Sequence, residues 1–299
     1  MKLVTFADGG SPRPGALLGE SIVDLAAMAG RVAGLPAPEA VKGDMVALLD
    51  AGPAGMETAA RLVAAAERDP AGALVPRARA RLLAPLPTPR KIVCIGLNYR
   101  DHCEENNVPI PQSPVIFAKY ATAVTGPGDP IVKPKLTEQL DYEAELAFVI
   151  GRAGRNIPES EAMGYVAGYT ILHDVSARDI QFADGQWVRG KTFDTFAPMG
   201  PALVTPDEVP DPHNLGIRLD VNGEVLQNSN TRHLIFRIPF LISLLSRGFT
   251  WQPGDIVSTG TPAGVGAFRN PKVFLHPGDV VTITIDGVGT LSNPVVAEA

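Results

Sequence analysis

The spacing of apolar positions changes character along this chain. Leu3-Val4-Thr5-Phe6 and Ile22-Val23-Asp24-Leu25 are short apolar runs near the start and predict two strands of a hairpin. Asp44 to Asp50 and Thr58 to Arg68 predict helices, the first stopped near Gly52 and the second before Pro70. The segment APLPTPR, residues 84–90, holds three prolines in seven residues. Proline restricts itself and the residue before it, so this segment predicts an extended linker. A boundary there divides the chain into a small N-terminal α/β domain, 1–84, and a larger domain, 85–299.

Beyond the linker the pattern is mostly that of strands. IVCIG (92–96), DYEAELAFVIG (141–151), GYVAGYTILHD (164–174) and RLDVNGEVLQN (218–228) are apolar or alternating runs. QPGDIVSTG (252–260) and HPGDVVTITIDGVGT (276–290) each leave a Pro-Gly turn and enter a β-branched strand. Asn222-Gly223 and Asp286-Gly287 supply hairpin turns. Helical pieces are few: Pro158 to Met163, Ser176 to Phe182, and Pro239 to Arg247 stopped by Gly248. Strand and helix do not alternate regularly, so a doubly wound sheet is disfavoured. The expected class is mostly β with helices (α+β), its sheets antiparallel or mixed.

Composition narrows the functions. With 299 residues and 45% hydrophobic content the chain can build a full core. A net charge of −6 argues against nucleic acid as partner, because phosphate binding needs a concentrated basic surface. The one basic run, RARAR at 77–81, reads as a solvated helix end. No apolar run suits a signal peptide or approaches 18 residues, so neither secretion nor a membrane span is expected. Two cysteines, Cys94 and Cys103, make no disulfide framework and fit a reducing cytoplasm. Neither has a second thiol at metal-ligand spacing.

Five segments carry candidate chemistry. On a strand, Asp141, Glu143 and Glu145 share one face. Carboxylates at the edge of a covered face repel one another and lose hydration, and a cation between them relieves both costs. A solvated strand end is the alternative. Asp174 follows an apolar strand and is a further ligand candidate or a helix N-cap. Arg178 and Gln181, three apart on the following helix, face the same way and can grip an anionic substrate. In NYRDHCEEN (98–106), a helix makes His102 and Glu105 i,i+3 neighbours, the form of an oriented general base; a surface pair is the alternative. Lys191 follows a glycine and is either exposed or reaches a cleft. STGTPAGVG (258–266) is a Gly-rich loop without a P-loop ending, and its N–H groups can hold a carboxylate or simply make a turn.

Together these segments resemble the fumarylacetoacetate hydrolase family. IGLNYRDH (95–102), PVIFAKY (114–120), LDYEAELAFVIG (140–151), GYTILHDVSARDIQ (168–181), GKTFDTFAPMGP (190–201), VNGEVLQ (221–227) and DIVSTGTPAGVG (255–266) occur in the family's order. The likeness covers roughly residues 90–292 and is closest to a bacterial branch of about 300 residues, some of whose members act on oxaloacetate. The resemblance implies a β-roll catalytic domain, a smaller N-terminal domain and a homodimer. It implies Glu143, Glu145 and Asp174 as ligands of Mg²⁺ or Mn²⁺, ions that three hard oxygen donors suit on independent grounds. His102 and Glu105 match a catalytic dyad, Lys191 a cleft lysine, Arg178 and Gln181 substrate-binding positions, and Thr259 a loop that contacts the substrate carboxylate. The founding eukaryotic enzyme has a fourth carboxylate ligand where this chain has Asn98, so water or substrate must fill more of the shell.

The expected activity is metal-dependent hydrolysis of a C–C bond in a small β-dicarbonyl acid of the acylpyruvate type. His102, supported by Glu105, activates water, and Lys191 stabilises the developing oxyanion. Decarboxylation or keto–enol tautomerisation of oxaloacetate is the alternative, because both also pass through an enolate. A non-catalytic binding protein is a distant third.

Overall fold

The computed structural model describes residues 1–70 and 72–299. Among them, twelve strands share one mixed, mainly antiparallel sheet. Its middle is built from Ala197–Val204, Val166–His173, Ala144–Ile150, Ile256–Ser258 and Ile92–Gly96, in that order. Ala144–Ile150 and Val166–His173 are buried at every position, so both faces of the sheet are covered there. That accounts for their nearly continuous apolar sequence. A second, five-stranded sheet holds Glu224–Asn230, Gly216–Val221, Val280–Ile285, Gly289–Ala297 and Ile131–Lys133. Its first hairpin turns at Asn222 and Gly223, with φ of +53° and +85°. Positive φ at both central positions is what a type I′ turn demands and what Asn-Gly tolerates. The α+β class expected from the sequence is the one observed.

The N-terminal strand Lys2–Ala7 pairs with Arg13–Leu18 on one side and with Ala197–Val204 on the other. The opening segment thus continues the central sheet. The proline-rich 84–90 stretch has no regular element, yet Leu86 is fully buried and the Pro85 carbonyl accepts the Thr5 hydroxyl at 2.8 Å. Helix Met45–Asp50 lies close to the expected range, whereas the second, Gly52–Arg68, starts six residues before the expected Thr58, at the glycine expected to stop the first. Arg13–Leu18 was hidden by Pro14 and Gly15, so the first hairpin joins different strands from those expected.

Three local expectations change. The helix expected over 158–163 is a 3₁₀ segment, Glu159–Tyr165, with Pro158 as its extended N-cap. The RARAR run is a short 3₁₀ turn, Arg77–Arg79, leading into a strand. The strand expected over 141–151 is broken: Leu140–Asp141 pairs with Ser176–Ala177, and the long strand starts only at Ala144. Asp141 therefore does not share a pleated face with Glu143 and Glu145. Among the described residues, no helix is long and apolar enough to cross a membrane.

Candidate metal and proton-transfer site

Glu143 and Asp174 stand at the adjoining ends of two neighbouring central strands. The Asp174 N–H donates to the Glu143 carbonyl at 3.0 Å, which fixes those ends together. Glu145 lies one pleat into Ala144–Ile150, opposite Leu172. Glu143, Glu145 and Asp174 each offer a carboxylate oxygen within 4.8 Å of the others. These three carboxylates would hold a single hard divalent cation, which takes oxygen ligands. All three are buried, Asp174 completely.

The surrounding groups manage the three negative charges unequally. Lys191 Nζ lies 2.6 Å from Glu143 Oε2 and 3.0 Å from Asp174 Oδ2. Burial pushes the Glu143 carboxyl up, but Lys191 and Arg178 outweigh it and hold it well below the usual range. Among the described residues, Glu145 has no ion-pair partner of its own. Its Oε2 accepts from the Ser258 hydroxyl and, at 3.0 Å, from Gly260 N–H. Burial first, then Asp174 and Glu143, push its carboxyl well above the normal value. A buried carboxylate facing two others in a hard-oxygen cluster is a setting that a divalent cation fits.

Lys119, which the sequence reading passed over, is fully buried behind Asp174. Its ammonium lies 2.7 Å from Asp174 Oδ1 and donates to the carbonyls of Val175, Phe196 and Lys191. It thus ties a candidate ligand to the chain that carries the cleft lysine. The structure turns Phe117 and Lys119 of Val115–Lys119 inward and Ile116 and Ala118 outward, an alternation the uniformly apolar run VIFA does not show in sequence. A lysine on the apolar phase of a strand needs a buried partner.

The 98–106 segment does turn helical, as Arg100–Glu105, and His102 and Glu105 meet across one turn. His102 Nδ1 is 3.6 Å from Glu105 Oε2, close enough for a charge interaction and long for a direct hydrogen bond. Gly264 N–H donates to both Glu105 oxygens at 3.0 Å. Burial raises the Glu105 carboxyl, but His102 and this N–H lower it more. Gly264 has φ of +104°, and a Cβ there would stand 2.2 Å from the Leu226 carbonyl oxygen. Only glycine fits both the turn and the space.

A small cleft of about 70 Å³ brings the two halves together. Glu143, Glu145, Lys191, Arg178, Gln181 and His102 line it, with an apolar wall of Phe117, Phe182, Trp187 and Phe268. Two expectations are redirected. Arg178 reaches the cleft, but Nη2 donates to Glu143 at 2.6 Å, Nε to Asp141 at 2.7 Å and Nη1 to Gln181 at 3.0 Å. Thr259 is fully buried, and its hydroxyl donates to the Leu146 carbonyl at 2.8 Å; Thr261 lines the cleft instead. Asn98 is not a ligand either. Its amide bonds to the carbonyls of Phe236 and Thr259, and its oxygen accepts from Phe236 N–H. The aromatic wall was not legible in the sequence, because its members come from three separated regions, around 117, 182–187 and 268.

This sheet, with a buried acidic triad at its centre and a His–Glu pair across the cleft, defines a class. The family model for the C-terminal domain of fumarylacetoacetate hydrolase matches residues 91–296, and the chain belongs to that family of enzymes. It is 49% identical over 302 residues to the mitochondrial oxaloacetate tautomerase fahd2 of Xenopus laevis, covering 99% of this chain and 90% of the relative. The solved fumarylacetoacetate hydrolase of Exiguobacterium antarcticum superposes with a TM-score of 0.82 at 34% identity, covering 100% of both chains. The maleylpyruvate hydrolase of Sphingobium sp. SYK-6, solved with manganese(II) and pyruvate, gives 0.79 at 34%, again over 100% of both.

Proposed function

We propose that this protein is an oxaloacetate keto–enol tautomerase that uses Mg²⁺ or Mn²⁺. The observation that carries the reading is the 49% identity, over 99% of the chain, to a protein named as an oxaloacetate tautomerase. The hydrolase expected first from the sequence has weaker support, since the solved maleylpyruvate hydrolase is 34% identical. Manganese in that neighbour supports Mn²⁺ as one of the two candidate ions.

Glu143, Glu145 and Asp174 would hold the ion, which when bound supplies Lewis-acid stabilisation of an enolate. The remaining work falls to side chains of this chain. His102 takes the proton from C3 of oxaloacetate and returns it to the C2 oxygen, so that one C–H bond breaks and one O–H bond forms. Glu105 keeps the imidazole oriented. Lys191 donates to the oxygen on which charge develops. Gln181 and Thr261, rather than Thr259, contact the substrate's polar ends. The aromatic wall limits water at the enolate and so favours proton return over hydrolysis. A homodimer is proposed on the family likeness; light scattering tests it.

The deciding assay follows enol absorbance and CO₂ release with the Mg²⁺ and Mn²⁺ forms. Oxaloacetate enol should interconvert rapidly with no CO₂, and acetylpyruvate and fumarylpyruvate should remain intact. Cleavage of either acylpyruvate faster than oxaloacetate interconverts would sink the reading.

A further inference from the structure

Asp141 is fully buried, lies outside the candidate ligand set, and its carboxylate collects four donors. Oδ2 accepts from Arg178 Nε at 2.7 Å and from Ala267 N–H at 3.0 Å. Oδ1 accepts from Gly266 N–H at 2.7 Å and from Tyr142 N–H at 2.8 Å. Apart from Tyr142, these donors belong to two structures, the helix Arg178–Ala183 and the 264–268 loop, whose Phe182 and Phe268 rings also meet at 6.5 Å. Arg178 carries on to Glu143 at 2.6 Å, on the side of the acidic triad. Gly266 and Ala267 belong to the loop whose Gly264 holds Glu105 at 3.0 Å and whose Phe268 ring stands edge-on to the His102 ring at 6.0 Å.

We propose that Asp141 is a positioning residue that sets the triad and the His102–Glu105 pair in one fixed relation, through Arg178 on one side and the 264–268 loop on the other. The physical reason is that one buried charge satisfies both arms. Arg178 needs an anion besides Glu143 to remain aligned in a fork. The loop's two N–H groups need an acceptor, because water is excluded there. A hydrogen bond to a charged acceptor is also stronger than one to a neutral group. The loop cannot shift inward to compensate. A Cβ on Gly266 would stand 1.7 Å from the Val273 carbonyl oxygen and 2.6 Å from Asp141 Oδ1, so backbone and carboxylate are already in full contact.

The inference rests on the reading of His102 and the triad as one site, but its test needs no substrate. Mn²⁺ affinity, from electron paramagnetic resonance titration of the full chain, reports the triad. The rate at which diethylpyrocarbonate modifies His102, resolved by peptide mapping, reports the pair. Asp141→Asn keeps the size and one acceptor oxygen but removes the charge. It should weaken Mn²⁺ about tenfold or more, as loss of a group behind a metal ligand commonly does, and change the His102 modification rate severalfold. Phe268→Leu should change only the His102 rate. An Asp141→Asn protein that alters one readout and leaves the other within about twofold of the parent overturns the proposal. If Asp141→Asn fails to fold, Arg178→Gln and Asp141→Asn/Arg178→Gln, a neutral pair, are compared. Asp141 then stands if the double variant shifts the His102 rate beyond the single one, and falls if the two rates agree. Failure of the tautomerase assay would leave both readouts unchanged, so the two readings fail separately.

Discussion

Lys119 Nζ lies 2.7 Å from Asp174 Oδ1, with both side chains wholly shielded from solvent. The ammonium is held on its other sides by three backbone carbonyls, including that of Lys191. Burial pulls its pKa down, against the pull of Asp174. The pair fixes the candidate ligand and anchors the cleft lysine's backbone together.

Removing one partner of a buried pair leaves an uncompensated charge. Lys119→Met should therefore lower the stability of the metal-free protein by about 3–5 kcal/mol. Urea denaturation measures this. A loss below about 1 kcal/mol would show that the carbonyl cradle, not the pair, sets the geometry.

The dyad can be separated from the metal. His102→Ala should reduce kcat for oxaloacetate tautomerisation by about 10²–10⁴, the usual weight of a positioned acid–base group. Manganese affinity should stay within about threefold of the parent, because His102 is not among the clustered ligands. Retained kcat would remove His102 from the mechanism.

An ion that binds only the folded state stabilises it by about 2.7 kcal/mol at a concentration of 100 Kd. The melting temperature should thus climb with added Mn²⁺ and fall back with EDTA. Glu145→Gln removes one of three clustered like charges and one ligand. This variant should melt no lower than the parent without metal and should lose the Mn²⁺-dependent rise in calorimetry.

Gly264→Ala tests the turn beneath Glu105. Its φ of +104° and the 2.2 Å approach to Leu226 oppose any side chain. The cost should be about 1–3 kcal/mol of stability, with kcat reduced because Glu105 loses its N–H partner. Unchanged activity and melting would refute this account of the loop.

His213 gives a pH dependence away from the site. Its Nε2 accepts the N–H of Ile238 at 3.2 Å, at the start of helix Ile238–Ser246, which requires that nitrogen unprotonated. Burial, then Arg237, lowers its pKa from the ordinary 6.5. The unfolded chain binds this proton more readily, so stability is present above pH 6.5 and is lost as pH falls towards the folded value. The slope for one proton is at most about 1.4 kcal/mol per pH unit. Chemical denaturation between pH 7 and 5 should show this slope reduced in His213→Gln.

Through the family resemblance the sequence marked the acidic triad; by itself it determined the β-rich class, the Asn-Gly turn and most strand positions. Each follows from local periodicity, turn chemistry or a motif that lies within a few residues. The His102–Glu105 contact was legible for the same reason, since i,i+3 spacing on one helical turn is enough. Tertiary structure decided what each charge does. It moved Arg178 to Glu143 and Asp141, withdrew Thr259 behind Leu146, brought Lys119 to Asp174, and gathered aromatics from three regions of the chain into one wall. Those outcomes depend on which strands lie side by side and on where water is excluded. Burial makes every unpaired charge costly and selects its partner from across the fold, and spacing along the chain carries no record of that choice.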